Sequence, residues 1–113
     1  LAGEPTMITG TGKQTRDFVY VSDVVRANMA AMNRAVTGAF NIGTGKQTSV
    51  NTLWRKMKKH TGYGMAERHV PACPGEVMRS ALNCRKAARE LGWVPKVKLE
   101  EGLKKTVRWY KGR

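Results

Sequence analysis

The hexapeptide Gly-Thr-Gly-Lys-Gln-Thr occurs twice in this 113-residue chain, at residues 10–15 and again at residues 43–48. A lysine that follows a glycine-rich turn suggests phosphate binding, because backbone amides and an ammonium group can surround the anion. Nucleotide binding by one or both hexapeptides is therefore the first chemistry to consider.

Neither copy satisfies the phosphate-loop pattern of a glycine, four residues, Gly-Lys and then serine or threonine. Gln14 and Gln47 stand where the hydroxyl ligand of Mg²⁺ would be, and Met7 and Phe40 stand where the first glycine would be. The dinucleotide pattern Gly-x-Gly-x-x-Gly also fails, because threonine replaces its third glycine. We interpret both copies as turns that need a flexible backbone, and their repetition as coincidence.

The elements around the hexapeptides alternate between strands and helices. Short apolar or β-branched segments predict strands over residues 5–9, 16–21, 39–42 and 66–70. Helical periodicity predicts helices over residues 24–35, 50–62, 84–92 and 99–113. The second hexapeptide would then join a buried strand to a helix N-terminus, a position where an open α/β sheet can accept an anion.

Polar and glycine residues mark the expected helix ends. The predicted N-caps are Ser22 or Asp23, then Ser49 or Asn51, then Asn83, and the predicted C-terminal glycines are Gly62 and Gly92. Each helix also carries residues spaced for one buried stripe. These are Val24, Val25, Met29 and Met32 in the first helix, Leu53, Trp54 and Met57 in the second, and Leu99, Leu103, Val107 and Tyr110 in the last.

The composition is that of a folded basic protein. Hydrophobic residues make up 41% of the chain, and 21 Lys and Arg against 8 Asp and Glu give a net charge of +13. The charge favours anionic partners, although it also fits an ordinary solvated basic surface. With no apolar run of about 20 residues and no leader-like start, we expect a soluble, cytoplasmic protein without a membrane partner. Cys73 and Cys84 are expected to be free thiols, and with His60 and His69 they form no metal-ligand spacing.

Four segments occur in the order "GTGKQTRDFVYVSDVVRANMAAM", "FNIGTGKQTSV", "PGEV" and "ARELGWVPKVKLEEGLKKTVRWY". In this order the chain resembles the C-terminal part of extended short-chain dehydrogenase/reductase enzymes. These are NAD-dependent nucleotide-sugar epimerases and dehydratases, with UDP-glucose 4-epimerase-like members the most similar. The resemblance implies an α/β fold (α+β when isolated). Residues 1–113 would form a single partial domain, a substrate-binding lobe with the last elements of a Rossmann-like fold, lacking the N-terminal dinucleotide-binding half.

The same resemblance implies that this chain is catalytically incomplete. The family's glycine-rich loop and its catalytic Tyr-x-x-x-Lys pair belong to the N-terminal half. Tyr20 and Tyr63 are followed four residues later by Val24 and Glu67, and no residue stands four after Tyr110. We therefore expect no catalytic, cofactor-binding or metal-binding residue in these 113 residues, and NAD only in the complete family enzyme.

Two residues match substrate-binding positions of the family. Arg16 matches an arginine that contacts the diphosphate of the nucleotide sugar, and Glu76 matches an acidic residue that contacts the ribose hydroxyls. Guanidinium and carboxylate groups suit these ligands, but a surface arginine and a turn carboxylate are the alternatives. Many relatives have a second arginine where Cys73 stands, and a thiol cannot replace a cation beside phosphate.

Other polar residues of the matching segments fit structural roles. Asp17 and Asp23 are expected to support the fold, with Asp23 as a helix cap, and Asn41 and Gly43 are expected to be architectural. The leading hypothesis is a nucleotide-sugar-binding lobe that is inactive alone. The alternatives are a basic anion- or nucleic-acid-binding module, without any recognisable nucleic-acid motif, or an assembly module that forms homo-oligomers or docks onto a dinucleotide-binding half.

Overall fold

The structure is a computed structural model that describes residues 1–113. The helices span Val21–Met32 (α1), Val50–Thr61 (α2), Arg85–Leu91 (α3) and Leu99–Lys111 (α4). The strands span Met7–Thr9 (β1), Thr15–Arg16 (β2), Thr48–Ser49 (β3) and Arg68–Val70 (β4). The predicted α/β class is confirmed, and none of the helices is long and apolar enough to reach across a lipid bilayer.

The strands form two separate pairs. β1 and β4 are parallel, with Ile8 opposite His69, whereas β2 and β3 are antiparallel, with Thr15 opposite Ser49 and Arg16 opposite Thr48. The predicted strand over residues 16–21 is therefore reduced to its first residue, and residues 39–42 form no strand. A strand needs a neighbouring strand to share its backbone hydrogen bonds, and no strand of the chain pairs with these two segments.

The start of α1 also differs from the prediction. The helix begins at Val21, and its N-cap, Tyr20, makes no side-chain capping bond. Asp23 lies in the first turn, fully buried, where its carboxylate accepts the backbone N–H groups of Lys96 and Val97 at 3.0 Å. Ser22 and Asp23 were predicted as caps from residue type alone, and Asp23 instead fastens the segment before α4 to α1.

The face of α1 that packs is not the face predicted. Ala27 joins Ala87, Leu91 and Trp93 in the core, and the Trp93 indole N–H donates to the Asp23 carbonyl at 2.8 Å. Small residues suit this contact because they let the two helices approach closely.

The predicted stripe of α1 is instead mostly in solvent. Val25, Met29 and Met32 are 52%, 51% and 79% exposed, and only Val24 among the predicted residues is partly covered. The four exposed residues recur at helical spacing, and we call them the apolar α1 face: Val21, Val25, Met29 and Met32. Nothing within the 113 residues covers this face.

The predicted helix ends agree better with the structure. The Ser49 hydroxyl accepts the Thr52 N–H at 3.1 Å at the start of α2, and Gly62 and Gly92 end α2 and α3 with φ of 74° and 63°. Asn83 lies just before the assigned N-cap of α3, Cys84, but its side chain does accept the Arg85 N–H at 3.1 Å. Glycine suits the left-handed C-caps because it carries no Cβ.

Helix α4 packs against α2 and against the segment that leads into α1. Its Glu100 bridges Lys56 and His60 of α2 at 2.6 and 2.7 Å, and a Cβ at Gly102 would lie 3.1 Å from the Tyr20 ring. Within the predicted stripe of α4, Val107 is buried but Tyr110 is 54% exposed. The prediction for Tyr110 is therefore wrong, because its ring lies against the exposed Trp109 ring and not against the core.

Candidate functional site

Arg16 and Glu76 lie together although 60 residues separate them in the chain. Arg16 is in β2, and Glu76 follows the turn after β4, with 3.2 Å between Arg16 Nη2 and Glu76 Oε1. The two side chains are 34% and 25% exposed, so both are partly withdrawn from water and still reachable. A permanent cation and a carboxylate at one accessible position can together receive a ligand that carries phosphate and hydroxyl groups.

Arg16 also fixes the segment that carries Glu76. Its Nη1 donates to the carbonyls of Thr15 at 2.7 Å and Val77 at 2.6 Å, and the Thr15 N–H donates to the Met78 carbonyl at 2.8 Å. These contacts hold residues 76–78 alongside β2. Since a guanidinium has five N–H donors, and three are used here, two remain for an external acceptor.

A tight turn places Cys73 and Glu76 on either side of Pro74 and Gly75. The Glu76 N–H donates to the Cys73 carbonyl at 3.3 Å, and Gly75 has a φ of 78°. Proline followed by a left-handed glycine is typical of a type II turn. Cys73 is a free, exposed thiol at this turn, so residue 73 supplies no cation to the site.

The second hexapeptide binds a carboxylate of the protein itself, that of Asp17. The Asp17 carboxylate accepts the N–H groups of Thr44 and Gly45 at 2.8 Å, the Leu82 N–H at 3.1 Å and the Thr44 hydroxyl at 2.6 Å. A Cβ at Gly43 would lie 2.7 Å from Asp17 Oδ2, so this glycine is needed for the close approach. Consecutive amides that converge on an anion form a nest.

These contacts also determine the charge state of Asp17. Burial raises the pKa of the Asp17 carboxyl, but the hydrogen bonds from Thr44, Leu82 and Gly45 outweigh it and place the pKa below its ordinary value. The carboxylate therefore stays ionised and remains bound in the nest at neutral pH. For the same reason, these amides cannot serve a phosphate while Asp17 is bound.

The first hexapeptide differs from the second, because its carbonyl groups bind the first turn of α2. The Asn51 N–H donates to the Gly12 carbonyl and the Asn51 side chain donates to the Thr11 carbonyl, both at 2.9 Å. A Cβ at Gly12 would clash with the side-chain amide of Asn51. Buried Gln14 adds a bond from its side chain to the Thr9 carbonyl at 2.8 Å. This copy closes on protein groups and leaves no room for a ligand at Gly12.

The two hexapeptides meet at their ends. β2 begins at the last residue of the first copy and β3 at the last residue of the second, and the Thr15 hydroxyl donates to Gln47 Oε1 at 2.9 Å. The copies remain two different turns, as interpreted from the sequence, but their contact places Arg16. This pairing could not be read from the sequence, since either copy alone predicts only a turn.

A sequence profile of the GDP-mannose 4,6-dehydratase family matches residues 1–106. The chain belongs to that family. The resemblance to the C-terminal part of a short-chain dehydrogenase/reductase-type epimerase or dehydratase is thereby confirmed.

The relatives and solved structures agree with this family membership. The chain is 44% identical over 111 residues to a putative UDP-glucose 4-epimerase of Methanocaldococcus jannaschii, covering 98% of this chain and 36% of that protein. It is 35% identical to dTDP-glucose 4,6-dehydratase of Salmonella typhimurium, covering 97% of this chain and 33% of that protein. The crystal structure of Thermotoga maritima UDP-glucose 4-epimerase with UDP-glucose matches with a TM-score of 0.93 and 48% identity, covering 97% of this chain and 36% of the enzyme. The chain thus spans about a third of these relatives' length.

Sequence reasoning named the two residues that converge but not how they meet. It did not foresee the ion pair between Arg16 and Glu76, nor that Asp17 would fill the second hexapeptide. The available signal for Asp17 was its position directly after Arg16, in the segment that follows the first glycine-rich turn. The roles of Arg16 and Glu76 toward a ligand remain predictions.

Proposed function

We propose that these 113 residues are the nucleotide-sugar-binding part of an NAD-dependent sugar epimerase or dehydratase, and that they are inactive by themselves. The observation that supports the proposal most strongly is the convergence of Arg16 and Glu76 at 3.2 Å on an accessible edge. Family membership supports it further, because the matching T. maritima protein is a UDP-glucose 4-epimerase crystallised with UDP-glucose.

The chemistry assigned to the two residues is complementary. The two remaining N–H groups of Arg16 donate to the oxygens of a diphosphate, as a guanidinium fork does. The Glu76 carboxylate accepts hydrogen bonds from two ribose hydroxyls. The ligand would loosen the bond between Glu76 and Arg16 while Val77 keeps the arginine in place.

The residues present do not fit a bound NAD. When bound, NAD accepts a hydride and returns it, but the chain has no Gly-x-Gly-x-x-Gly and no Tyr-x-x-x-Lys. The Asp17 carboxylate fills the amides of the second hexapeptide that a pyrophosphate would need. We therefore assign the cofactor and the catalytic pair to a dinucleotide-binding part, either elsewhere in the same polypeptide or on another chain.

The apolar α1 face supports docking onto such a part. It continues toward the end of α4, because Val21 lines an open groove of 390 Å³ together with Trp109 and Tyr110. Trp109 and Tyr110 are 56% and 54% exposed. Large apolar patches of this kind are typical of interaction surfaces. A second copy of this chain fits the surface less well, because two chains of net charge +13 repel each other.

The binding half of the proposal is tested by titrating the chain with UDP-glucose and following amide NMR shifts. Shifts centred on β2 and residues 73–77 are expected, with about tenfold weaker binding in Arg16→Ala and Glu76→Ala. Arg79→Ala removes the same charge as Arg16→Ala from an exposed neighbouring position. Equal weakening by the Arg79 variant, or no shifts near Glu76, would contradict the assignment.

The enzymatic half is tested with a chimera in which this chain replaces the matching third of T. maritima UDP-glucose 4-epimerase. We expect turnover of UDP-glucose by the chimera, loss of turnover on Arg16→Ala and none from the 113 residues alone. A chimera that folds and binds NAD but does not turn over UDP-glucose would contradict a UDP-glucose lobe. Turnover by the isolated chain would contradict its inactivity.

A further inference from the structure

A polar pocket of 440 Å³ lies between the second hexapeptide and the segment that leads into α4. Lys46 lines it from one side and Lys96 and Lys98 from the other, with Phe18 and Leu99 among the apolar residues. Neither Arg16 nor Glu76 lines it, although Thr48 does, and Thr48 pairs with Arg16 in the β2–β3 ladder. The pocket therefore adjoins the candidate sugar site without sharing either of its charged residues.

The three lysines have no anionic partner in the structure. None of them forms an ion pair, although five of the eight acidic residues of the chain do, and no acidic side chain lines the pocket. Three exposed lysines that line one concavity give it a positive potential, and this potential favours an anion between them. The positive charge of the pocket is therefore not neutralised by any acidic side chain of the protein.

The two carboxylates behind the pocket walls are already used. Asp17 is bound by the amides of Thr44 and Gly45 beneath one wall. Asp23 is bound by the backbone N–H groups of Lys96 and Val97 beneath the other, and it also pairs with Arg26. These bonds fix the backbone on which the lysines stand, and they leave the lysine side chains free.

We propose that this pocket binds a small phosphorylated anion, with Lys46, Lys96 and Lys98 contacting separate phosphate oxygens. Lysine binds phosphate as a point charge and needs no fixed fork geometry, which suits three long side chains on separate segments. A concave volume of 440 Å³ is within the usual range of small-molecule sites, about 300–1,000 Å³. A nucleic-acid backbone would instead follow an extended basic surface.

The proposal is tested by titrating the 113-residue chain with inorganic pyrophosphate, using calorimetry and amide NMR. The pocket variant combines Lys46→Gln, Lys96→Gln and Lys98→Gln. The control variant combines Lys13→Gln, Lys59→Gln and Lys104→Gln, three exposed lysines outside the pocket and without ion pairs. Both variants carry the same net charge, so a difference between them reports position and not overall charge.

We expect amide shifts in residues 44–48 and 95–99, with at least about tenfold weaker binding in the pocket variant and less than about twofold weakening in the control. In Arg16→Ala the amide shifts in residues 44–48 and 95–99 should persist, although the total heat of pyrophosphate binding falls if the proposed sugar site also takes up pyrophosphate. Persistence of these shifts separates the pocket from the proposed sugar site. Equal losses in both lysine variants would overturn the proposal in favour of a diffuse basic field. Tighter binding of single-stranded DNA that also depends on the control lysines would overturn it in favour of nucleic acid.

Discussion

Arg16 and Glu76 neutralise each other before any ligand arrives. The guanidinium is further held by the Val77 carbonyl at 2.6 Å, so it is positioned by the protein and not by the ligand. Preorganisation of this kind lowers the entropy lost on binding. Cys73, a free and exposed thiol, adds no second cation to the proposed diphosphate site.

The substitution Cys73→Arg is expected to strengthen binding of UDP-glucose by about tenfold or more, because a charge-assisted hydrogen bond to phosphate contributes about 1.5–3 kcal/mol. Cys73→Ser is the control, since it changes the thiol without adding a cation, and it should leave the dissociation constant unchanged. Titration calorimetry measures both. An arginine without effect would mean that residue 73 does not face the diphosphate.

Asp17→Asn is expected to destabilise the chain at pH 7 by about 1–3 kcal/mol, because it puts an amide where the nest requires an acceptor. The pKa of Asp17 is lowered in the folded chain, so its contribution to stability is complete above the ordinary value of 3.8 and is lost as pH falls through the folded pKa. Asp17→Asn should therefore lose less stability than the wild type when the pH falls from about 5 to about 2.

Thermal unfolding from pH 7 to about pH 2 checks this dependence on Asp17. Glu90→Gln is the matched control, since Glu90 is exposed and forms no ion pair. It should have the wild-type profile. Equal pH slopes for Asp17→Asn and the wild type would exclude a major part for this carboxylate in acid unfolding.

At the scale of elements, helices were easier to predict than strands. Gly62, Gly92 and Ser49 act through local backbone geometry, so residue type and position suffice to place them. Residues 39–42 have the composition of a buried strand, and Phe40 and Ile42 do pack against the core, but the segment has no ladder partner. Strand formation depends on a neighbour, which a local pattern does not contain.

Helix α1 shows a second limit of sequence reasoning. Ser22 and Asp23 are the residue types of an N-cap, yet the helix begins at Val21, and the Asp23 carboxylate binds the backbone N–H groups of Lys96 and Val97. Those partners are more than 70 residues away. The candidate site likewise depends on contacts between distant segments, because Arg16 and Glu76 are brought together across the chain. Only the family resemblance pointed to both residues.

Ser49 and Ser22 form a matched pair for testing helix capping. Ser49→Ala removes the acceptor of the Thr52 N–H at the start of α2 and should destabilise the chain by about 1 kcal/mol. Ser22→Ala removes an exposed hydroxyl that caps nothing and should change stability by less than about 0.5 kcal/mol. Urea unfolding of the two variants measures the difference, and equal effects would contradict the capping role of Ser49.

The whole molecule is flat, with extents of 49 × 37 × 17 Å. A body this thin has little interior, and only 11 of its 113 residues are buried. Stability then comes from a few contacts, such as the cluster around Trp93, while the largely exposed apolar α1 face contributes little to the isolated chain. In the proposed assembly this face would be buried on the dinucleotide-binding part.

Val25→Lys with Met29→Lys is expected to leave the stability of the isolated chain nearly unchanged, because both side chains are half in water already. In the chimera with the T. maritima enzyme the same pair should impair folding or NAD-dependent turnover, since a docked face cannot accept two unpaired charges. Lys substitutions at exposed Arg55 and Arg108 keep the charge unchanged and serve as the control. A fully active Val25/Met29 variant would show that the α1 face stays in solvent.

Because Asp17 is bound to the second hexapeptide, its carboxylate acts as an intramolecular competitor of any free anion for these backbone amides. A tethered carboxylate is present at an effective concentration in the millimolar range or above, so a free anion competes poorly for the same amides. Removing the tethered group with Asp17→Ala would unmask them. Formate or acetate should then restore part of the lost stability by chemical rescue, although the same salts would leave the wild type unaffected.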